Sequence, residues 1–513
     1  MQHRQGLASP ILLLFLMFLM AGGVLSAAEP DARLPELARS GDRAGVASLL
    51  AAGDVDVDSP GVDGTTALHW AAYADDAELA SLLLDAGADP NAENRNGATP
   101  LALACTNANP ALLEGLLEAG ADPSLAPNGE PPILGCARTG RVAALRALLR
   151  YGASVDAADT WRGQTSLMWA AAENHAPILN VLLENGAAVD TPSTGGFNAL
   201  MFAVRQDAHD AARLLIAAGA DVNVHLPGAR RAAQPAVPGP SLLSMAVTNG
   251  HYTMAAVLLE AGADPDARDA QGNGILHNLV QRRSPQRHLA NQFVDSYGVD
   301  PTQLDSLELM RMLVARGADP NARTEPTPIR HERWTDEGIF SAGRPYMDNG
   351  VNLGGATPYI LAAQGADVEA MRELAALGAD PRLATYANNT AVMMASGVGH
   401  IEGSRRFRAE KDALEAVKLA LAAGVDVNAS NANGQTALHG AVYRAANTII
   451  GHLVGAGART DFEDELDRSA LDLAEQGFNQ IASVIRRDSA AELLRSLGAV
   501  ATPDGRTVPA DQR

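Results

Sequence analysis

Twelve histidines, two cysteines and a run of alternating aspartates are the side chains of this 513-residue chain whose types could do chemistry. Asp54, Asp56 and Asp58 alternate as the carboxylates of a calcium loop do. Such a loop also needs a glycine at its sharp turn and a bidentate glutamate at its end. Ser59 stands where the glycine should be, and no glutamate follows at the right distance, so the segment reads more simply as a first hairpin. Gly397, Gly399 and Gly403 miss the dinucleotide-binding spacing by one residue and follow a helical pattern rather than a strand. His288 and His331 have no Cys, Asp or His partner at metal-ligand spacing. There is no Walker loop, no His-Glu-x-x-His, no Gly-x-Ser-x-Gly and no Cys-x-x-Cys. Nothing places a nucleophile beside a base. The expectation is a non-catalytic chain with no metal and no cofactor.

The elements that carry these residues recur. The phrase Asp85-Ala86-Gly87-Ala88-Asp89-Pro90-Asn91-Ala92 returns as Glu118 to Pro123, Glu260 to Ala267, Ala315 to Ala322 and Leu377 to Pro381. Weaker copies are Arg150 to Asp156, Ala217 to Asn223 and Ala422 to Asn428. Many copies lie about 33 residues apart, a period that means stacked units rather than one globular core. Within Thr65 to Gly97, Thr66 can cap a short helix whose apolar side carries Leu68, Ala71 and Ala72, with Trp70 beside them. Asp75 and Asp76 break it, Glu78 to Asp85 forms a second helix, and Gly87 suits a left-handed termination. Ala88 to Asn96 then reads as an extended hairpin. With 4% aromatic and 47% hydrophobic residues, Ala, Leu and Val must build the interior.

This register gives the histidines structural positions. His69, His277 and His439 open first helices, and His175, His251 and His400 sit at the inter-helix turns. Cys105 and Cys136 fall on the first helices of adjacent units. Neighbouring helices lie about 8–10 Å apart, against about 7 Å between the Cα atoms of a disulfide. Two small buried thiols are the expectation, with a disulfide as the alternative.

The residues resemble the ankyrin repeat. The family pattern Gly-x-Thr-Pro-Leu-His-x-Ala-Ala is approached by Thr66-Ala67-Leu68-His69-Trp70-Ala71-Ala72, Thr99-Pro100-Leu101, Thr357-Pro358-Tyr359 and Thr436-Ala437-Leu438-His439. Gly250-His251 and Gly399-His400 match its turn. The likeness runs from about Pro35 to Ala499 in roughly eleven or twelve units. It implies an all-α repeat solenoid, an ankyrin stack of helix-turn-helix plus β-hairpin units. Residues 29–64 form an N-terminal capping repeat, 65–281 and 356–469 ordinary repeats, 282–355 a repeat with two insertions, and 470–500 a C-terminal capping repeat. Residues 501–513 form a disordered tail.

Four stretches break the period: Val224 to Gly239, Arg282 to Asp305, Arg323 to Asn352 and Ile401 to Lys411. The third collects Trp334, Phe340 and Tyr346 among Arg330, His331, Arg333 and Arg344, the residue types of binding hot spots. The resemblance places it over the concave side. It also implies that partners meet the exposed ends of the first helices and the hairpin tips. The first row comprises Tyr73, Asn107, Arg138, Glu173, Arg205, Asn249, Arg282, Tyr443 and Arg444; the second comprises Arg95, Asn128, Trp161, Arg162 and Phe197.

The formal net charge of -21 argues against nucleic acid and anionic lipid as partners. Arginine in the two rows instead suits an acidic protein segment. Residues 1–28 read as a secretory signal: Arg4, the apolar run Ile11 to Met20, and Ser26-Ala27-Ala28 before Glu29. An uncleaved signal anchor is the alternative. The expectation is a monomeric periplasmic or secreted scaffold for protein–protein interaction. Rival readings are an accessory or protective subunit of a periplasmic redox enzyme, a secreted effector binding a host protein, and an enzyme with its site in Arg323 to Asn352.

Overall fold

In a computed structural model the chain is described over residues 31–107, 109–228, 239–269, 272–283, 304–325, 351–399, 409–480 and 483–501. The expected signal (1–28), Trp334, Phe340, Tyr346, His288, His400 and most of the C-terminal tail lie outside the described residues. Internal contacts divide the chain into two compact units, Met1–Gly135 with Arg150–Gly152, and Cys136–Leu149 with Ala153–Arg513.

The first unit is built from α1 (Arg33–Ser40), α2 (Arg43–Ala52), α3 (Ala67–Tyr73), α4 (Ala77–Asp85), α5 (Pro100–Asn107) and α6 (Pro110–Glu118), with the start of α7 (Pro132–Thr139). First helix packs on first helix, α1 on α3 on α5, and second on second, α4 on α6. Between α3 and α4 the chain turns at Asp75, held at φ 59°, and Asp76 caps α4 by accepting from Leu79 N at 2.9 Å. Leu79, Ala80 and Leu83 form the buried side of α4.

The second unit continues with α8 (Val142–Arg150), whose last residue belongs to the first unit. It goes on through α9 (Ser166–Ala172), α10 (Ala176–Glu184), α11 (Ala199–Arg205), α12 (His209–Ala217), α13 (Leu242–Asn249), α14 (Tyr252–Glu260), α15 (Ile275–Arg283) and α16 (Ser306–Ala315). Then come α17 (Pro358–Gln364), α18 (Val368–Ala376), α19 (Ala391–Ser396), α20 (Glu410–Ala422), α21 (Ala437–Tyr443), α22 (Asn447–Gly455), α23 (Ala470–Gln476) and α24 (Asp488–Ser496). Thr165, Asn198, Ser241, Thr357 and Thr390 each cap the first helix that follows, as their hydroxyl or amide oxygens predict.

The recurring phrase works as a staple between repeats. Asn91 accepts at Oδ1 from Asp122 N (2.7 Å) and donates from Nδ2 to Gly120 O (3.0 Å). Asn223, Asn321 and Asn428 repeat this pair of bonds toward Asp264 and Gly262, Asp380 and Gly378, and Arg459 and Gly457. Asp58 and Asp156 supply the acceptor half alone. The Asp alternation at the N-terminus therefore has a structural use: Asp58 receives Asp89 N at 2.9 Å.

The insertions leave this register intact. Asp266 still accepts from Asp319 N at 3.0 Å, and Asn321 still reaches Asp380 N at 2.7 Å. Their stems are closed. Thr324 N donates to Ala356 O (3.0 Å) and Gly355 N to Thr324 O (3.2 Å), while Leu226 N donates to Pro240 O (2.9 Å).

The hairpins are tight turns with little strand pairing: among the described residues isolated antiparallel bridges such as Ala158 with Thr165 close them. The cause is local: Asn94 Oδ1 accepts from both Asn96 N and Ala98 N, so the side chain takes amides that a ladder would use. The C-terminal capping pair, α23 and α24, carries a small antiparallel hairpin between its two helices. There β1 (Phe478–Gln480) pairs with β2 (Ser483–Ile485).

Candidate partner-binding face

The three helix-opening histidines are consumed by the stack. His69 accepts at Nδ1 from Thr66 N (3.2 Å), which leaves Nε2 as the donor to Ala98 O of the next repeat (2.9 Å). His277 does the same between Gly274 N and Ala356 O, and His439 between Thr436 N and Arg468 O. Burial pushes all three imidazoles below their ordinary pKa and keeps them neutral. His175 and His251 bond the carbonyls of Arg138 and Val204 from their turns. Cys105 and Cys136 are both buried thiols. Among the described residues no group of three or more His, Cys, Asp or Glu side chains is placed to hold a metal ion, and no helix is long and apolar enough to cross a membrane.

In the first unit, Tyr73 stands at the end of α3 with 65% of its surface exposed and packs edge-on to Trp70, 6.0 Å between centroids. Arg39 lies over the other aromatic, 5.6 Å from the Trp70 ring. Arg95 is exposed at its hairpin tip, tied down by its own amide to Asp63 O (3.0 Å). Asn107 spends its amide on Ala72 O and Tyr73 O (3.3 and 2.8 Å), and Asn128 is half-buried.

The second unit gathers more of the expected residues on one face. Trp161 and Arg162 are exposed at a hairpin tip held by Asp159. That buried carboxylate accepts from the amides of Trp161 (3.0 Å), Arg162 (2.5 Å) and Gln164 (3.1 Å). The next hairpin is pinned to this one, since Thr194 N donates to Arg162 O at 2.8 Å. Phe197 of that hairpin tilts against Phe202 of α11, 6.1 Å between centroids. Trp169 holds the same register on α9 as Phe202 does on α11, the two helices pack together, and Arg138 lies 5.4 Å over the Trp169 ring. Arg138, Glu173 and Arg205 are exposed at their helix ends, while Asn249 is half-buried.

Two residues of the helix row do not reach the surface. Tyr443 is fully buried because the unexpected β-hairpin lays Phe478 edge-on against it, 4.8 Å between centroids, while Gln435 Nε2 donates to its hydroxyl at 3.1 Å. Arg282 is only 6% exposed, folded over Gly250. Arg444 is half-buried, and desolvation lowers its pKa. Sequence reasoning missed Trp169 and Phe202 as surface residues. Their signal was the register itself, the fourth position of a first helix, where Trp70 also stands.

Residues 36–127 and 128–225 match the family model for ankyrin repeats in three copies, residues 239–270 the model for the single ankyrin repeat, and residues 406–450 the model for ankyrin repeats in many copies. These segments cover more than half of the chain. The chain belongs to the ankyrin-repeat family. It is similar to the E3 ubiquitin-protein ligase KEG of Arabidopsis thaliana, 26% identical over 324 residues that make up 62% of this chain. It is also similar to the nuclear factor NF-kappa-B p105 subunit of Mus musculus, 30% identical over 205 residues, 38% of this chain. The ankyrin match spans 18% of the length of each of these two relatives. Among solved structures, the ankyrin repeat domain of human ASB11 is 28% identical at a TM-score of 0.39, covering 45% of this chain and 97% of that one. That of Bcl-3 is 28% identical at a TM-score of 0.35, covering 37% and 88%. Ankyrin repeats generally mediate protein–protein interaction.

Proposed function

We propose that this chain is an exported, non-catalytic ankyrin scaffold whose α9–α11 face captures a protein partner through a carboxylate-bearing segment. One observation carries the reading: Trp161, Arg162 and Phe197 stand on two hairpins that Asp159 and Thr194 pin, and Phe197 meets Phe202 of α11, which packs on α9, where Arg138 lies over Trp169; Arg205 is exposed at the end of α11. Aromatic and Arg side chains dominate binding hot spots. Forked guanidinium groups pair with carboxylates through two parallel hydrogen bonds. A rigid tip loses little ordering entropy when it is engaged. Export rests on the charged, apolar and small-residue order of residues 1–28.

The test uses the mature chain as bait in parallel with a variant carrying Arg138→Glu, Arg162→Glu and Arg205→Glu. A partner bound here is retained by the native chain and lost by the reversed one, with circular dichroism unchanged. Equal capture by both would remove this face from the reading. N-terminal sequencing tests export separately. A chain recovered outside the cytoplasm should begin at Glu29, and a cytoplasmic chain retaining Met1 would refute export.

A further inference from the structure

Two adjacent arginines end α15, and their surroundings differ sharply. Arg283 is saturated: Nε and Nη2 donate to the Asp367 carboxylate at 2.7 and 3.2 Å, Nη2 also reaches Glu369 at 3.0 Å, and Nη1 donates to Ser306 Oγ. Arg282 is only 6% exposed, yet it makes no hydrogen bond or ion pair among the described residues, and its Nη1 is enclosed without an acceptor. A buried charge with no partner is among the costliest arrangements a fold can keep. Its neighbour Arg283 takes the carboxylates of Asp367 and Glu369.

The Arg282 guanidinium packs against the turn that leads into α14. It lies across Gly250, where an added Cβ would stand 3.1 Å from Nη2, 3.4 Å from Nε and 3.7 Å from Cζ. Gly250, at φ 84°, leads through His251 directly into α14. His251 gives α14 no side-chain cap, because its Nδ1 is turned to Val204 O at 3.2 Å. Among the described residues the nine-residue α14 therefore opens without a side-chain cap at its positive end, close to a guanidinium that makes no hydrogen bond there. Tyr252, its first residue, feels the charges of Arg282 and Arg283, and burial raises its pKa so that the phenol keeps its proton. Leu304 N donates to Thr253 Oγ1 at 3.1 Å. The one acid that also acts on Tyr252, Asp305, caps α16 by accepting from Leu307 N at 3.2 Å.

We propose that this corner binds a small oxyanion, a carboxylate or a phosphate, held between the Arg282 fork and the amides that open α14. The guanidinium supplies paired N–H donors and the helix start supplies amides and a positive dipole end. With Arg282 only 6% exposed, the group it meets must be compact rather than a broad protein face. The proposal stands apart from the α9–α11 face and does not need a protein partner.

The test is thermal unfolding of the full mature chain in chloride, acetate and phosphate at constant ionic strength. The native chain should rise by a few degrees in acetate, phosphate or both, relative to chloride. A response to acetate alone assigns a carboxylate, to phosphate alone a phosphate, and to both a shared oxyanion site. Arg282→Met should be more stable than the native chain in chloride, since it removes an unpaired buried charge, and should not respond to either anion. Arg282→Lys keeps the charge without the fork and should lose most of the response, which secures the test if the Met variant does not fold. A native chain that responds no more than in chloride overturns the site. So does a response that survives in Arg282→Met or that is undiminished in Arg282→Lys.

Discussion

His439 shows how much a single position can be asked to do. Its ring takes Thr436 N on one nitrogen and gives to Arg468 O on the other, a pattern open only to the neutral imidazole. His69 and His277 are held likewise. Because burial depresses the folded pKa below the unfolded value of about 6.5, the unfolded chain binds more protons below that pH. Each ring contributes stability that is full above pH about 6.5 and falls by about 1.4 kcal/mol per pH unit beneath it. Carboxylates held low by arginine, such as Glu373 beside Arg311, act in a lower window, below the ordinary glutamate pKa of about 4.3. Urea unfolding between pH 5 and 7.5 should therefore show falling stability toward acid, and His439→Gln should flatten the slope by about one proton. An unchanged slope would mean that His439 titrates normally. Glycines can be separated in the same way. Gly87 is left-handed with open space around it, whereas a Cβ on left-handed Gly97 would sit 2.8 Å from Asn128 N. Gly87→Ala should cost about 1–2 kcal/mol, the conformational term alone. Gly97→Ala should cost clearly more, read as the difference between two urea midpoints; equal costs would refute the close approach.

At the scale of the element, the Asn staple explains why one short phrase recurs. Asn428 and Asn321 make the same two bonds, but the second pair closes over an insertion of about thirty residues. Loop length adds to closure entropy only slowly. Asn321→Ala and Asn428→Ala should therefore each cost about 1–2 kcal/mol and agree within about 0.5 kcal/mol. A much larger loss at Asn321 in chemical denaturation would show that the insertion strains its stem. The phrase was legible because it is local. Asp76, Gly87 and Thr66 act where their side chains and backbone freedom predict, and α4 was misplaced by one residue at its start. What was not legible depends on neighbours far along the chain. Nothing in Phe478 to Ile485 alternates strongly enough to announce a hairpin. Without that hairpin Tyr443 reads as a surface residue. Arg282 was likewise read as exposed, since only the fold shows it lying over Gly250. Of the candidate face, the exposed Trp161, Arg138 and Arg205 were found from the repeat register, whereas Trp169 and Phe202 were missed although they hold one position of that same register.

For the whole molecule, two opposing charges bear on the proposed partner. The chain carries a formal net charge of -21, which repels an acidic segment at long range, while Arg138, Arg162 and Arg205 attract it at contact. Range decides which effect governs which step. At 0.01 M salt the screening length is about 30 Å and an approaching segment senses much of the acidic body; at 0.1 M it is about 10 Å and the segment senses mainly the face it meets. Association with an acidic partner should therefore speed up as salt rises from about 0.01 to 0.1 M, the reverse of ordinary steering between opposite charges. Dissociation should also quicken with salt, because the Arg–carboxylate bonds weaken as they are screened. Reversing the three arginines should then act mainly on dissociation, with a smaller change in the association rate. Stopped-flow or surface-binding kinetics across that salt range would resolve the two rates. An association rate that falls steadily with salt would mean that the partner is steered by attraction over the whole body, and so is not acidic.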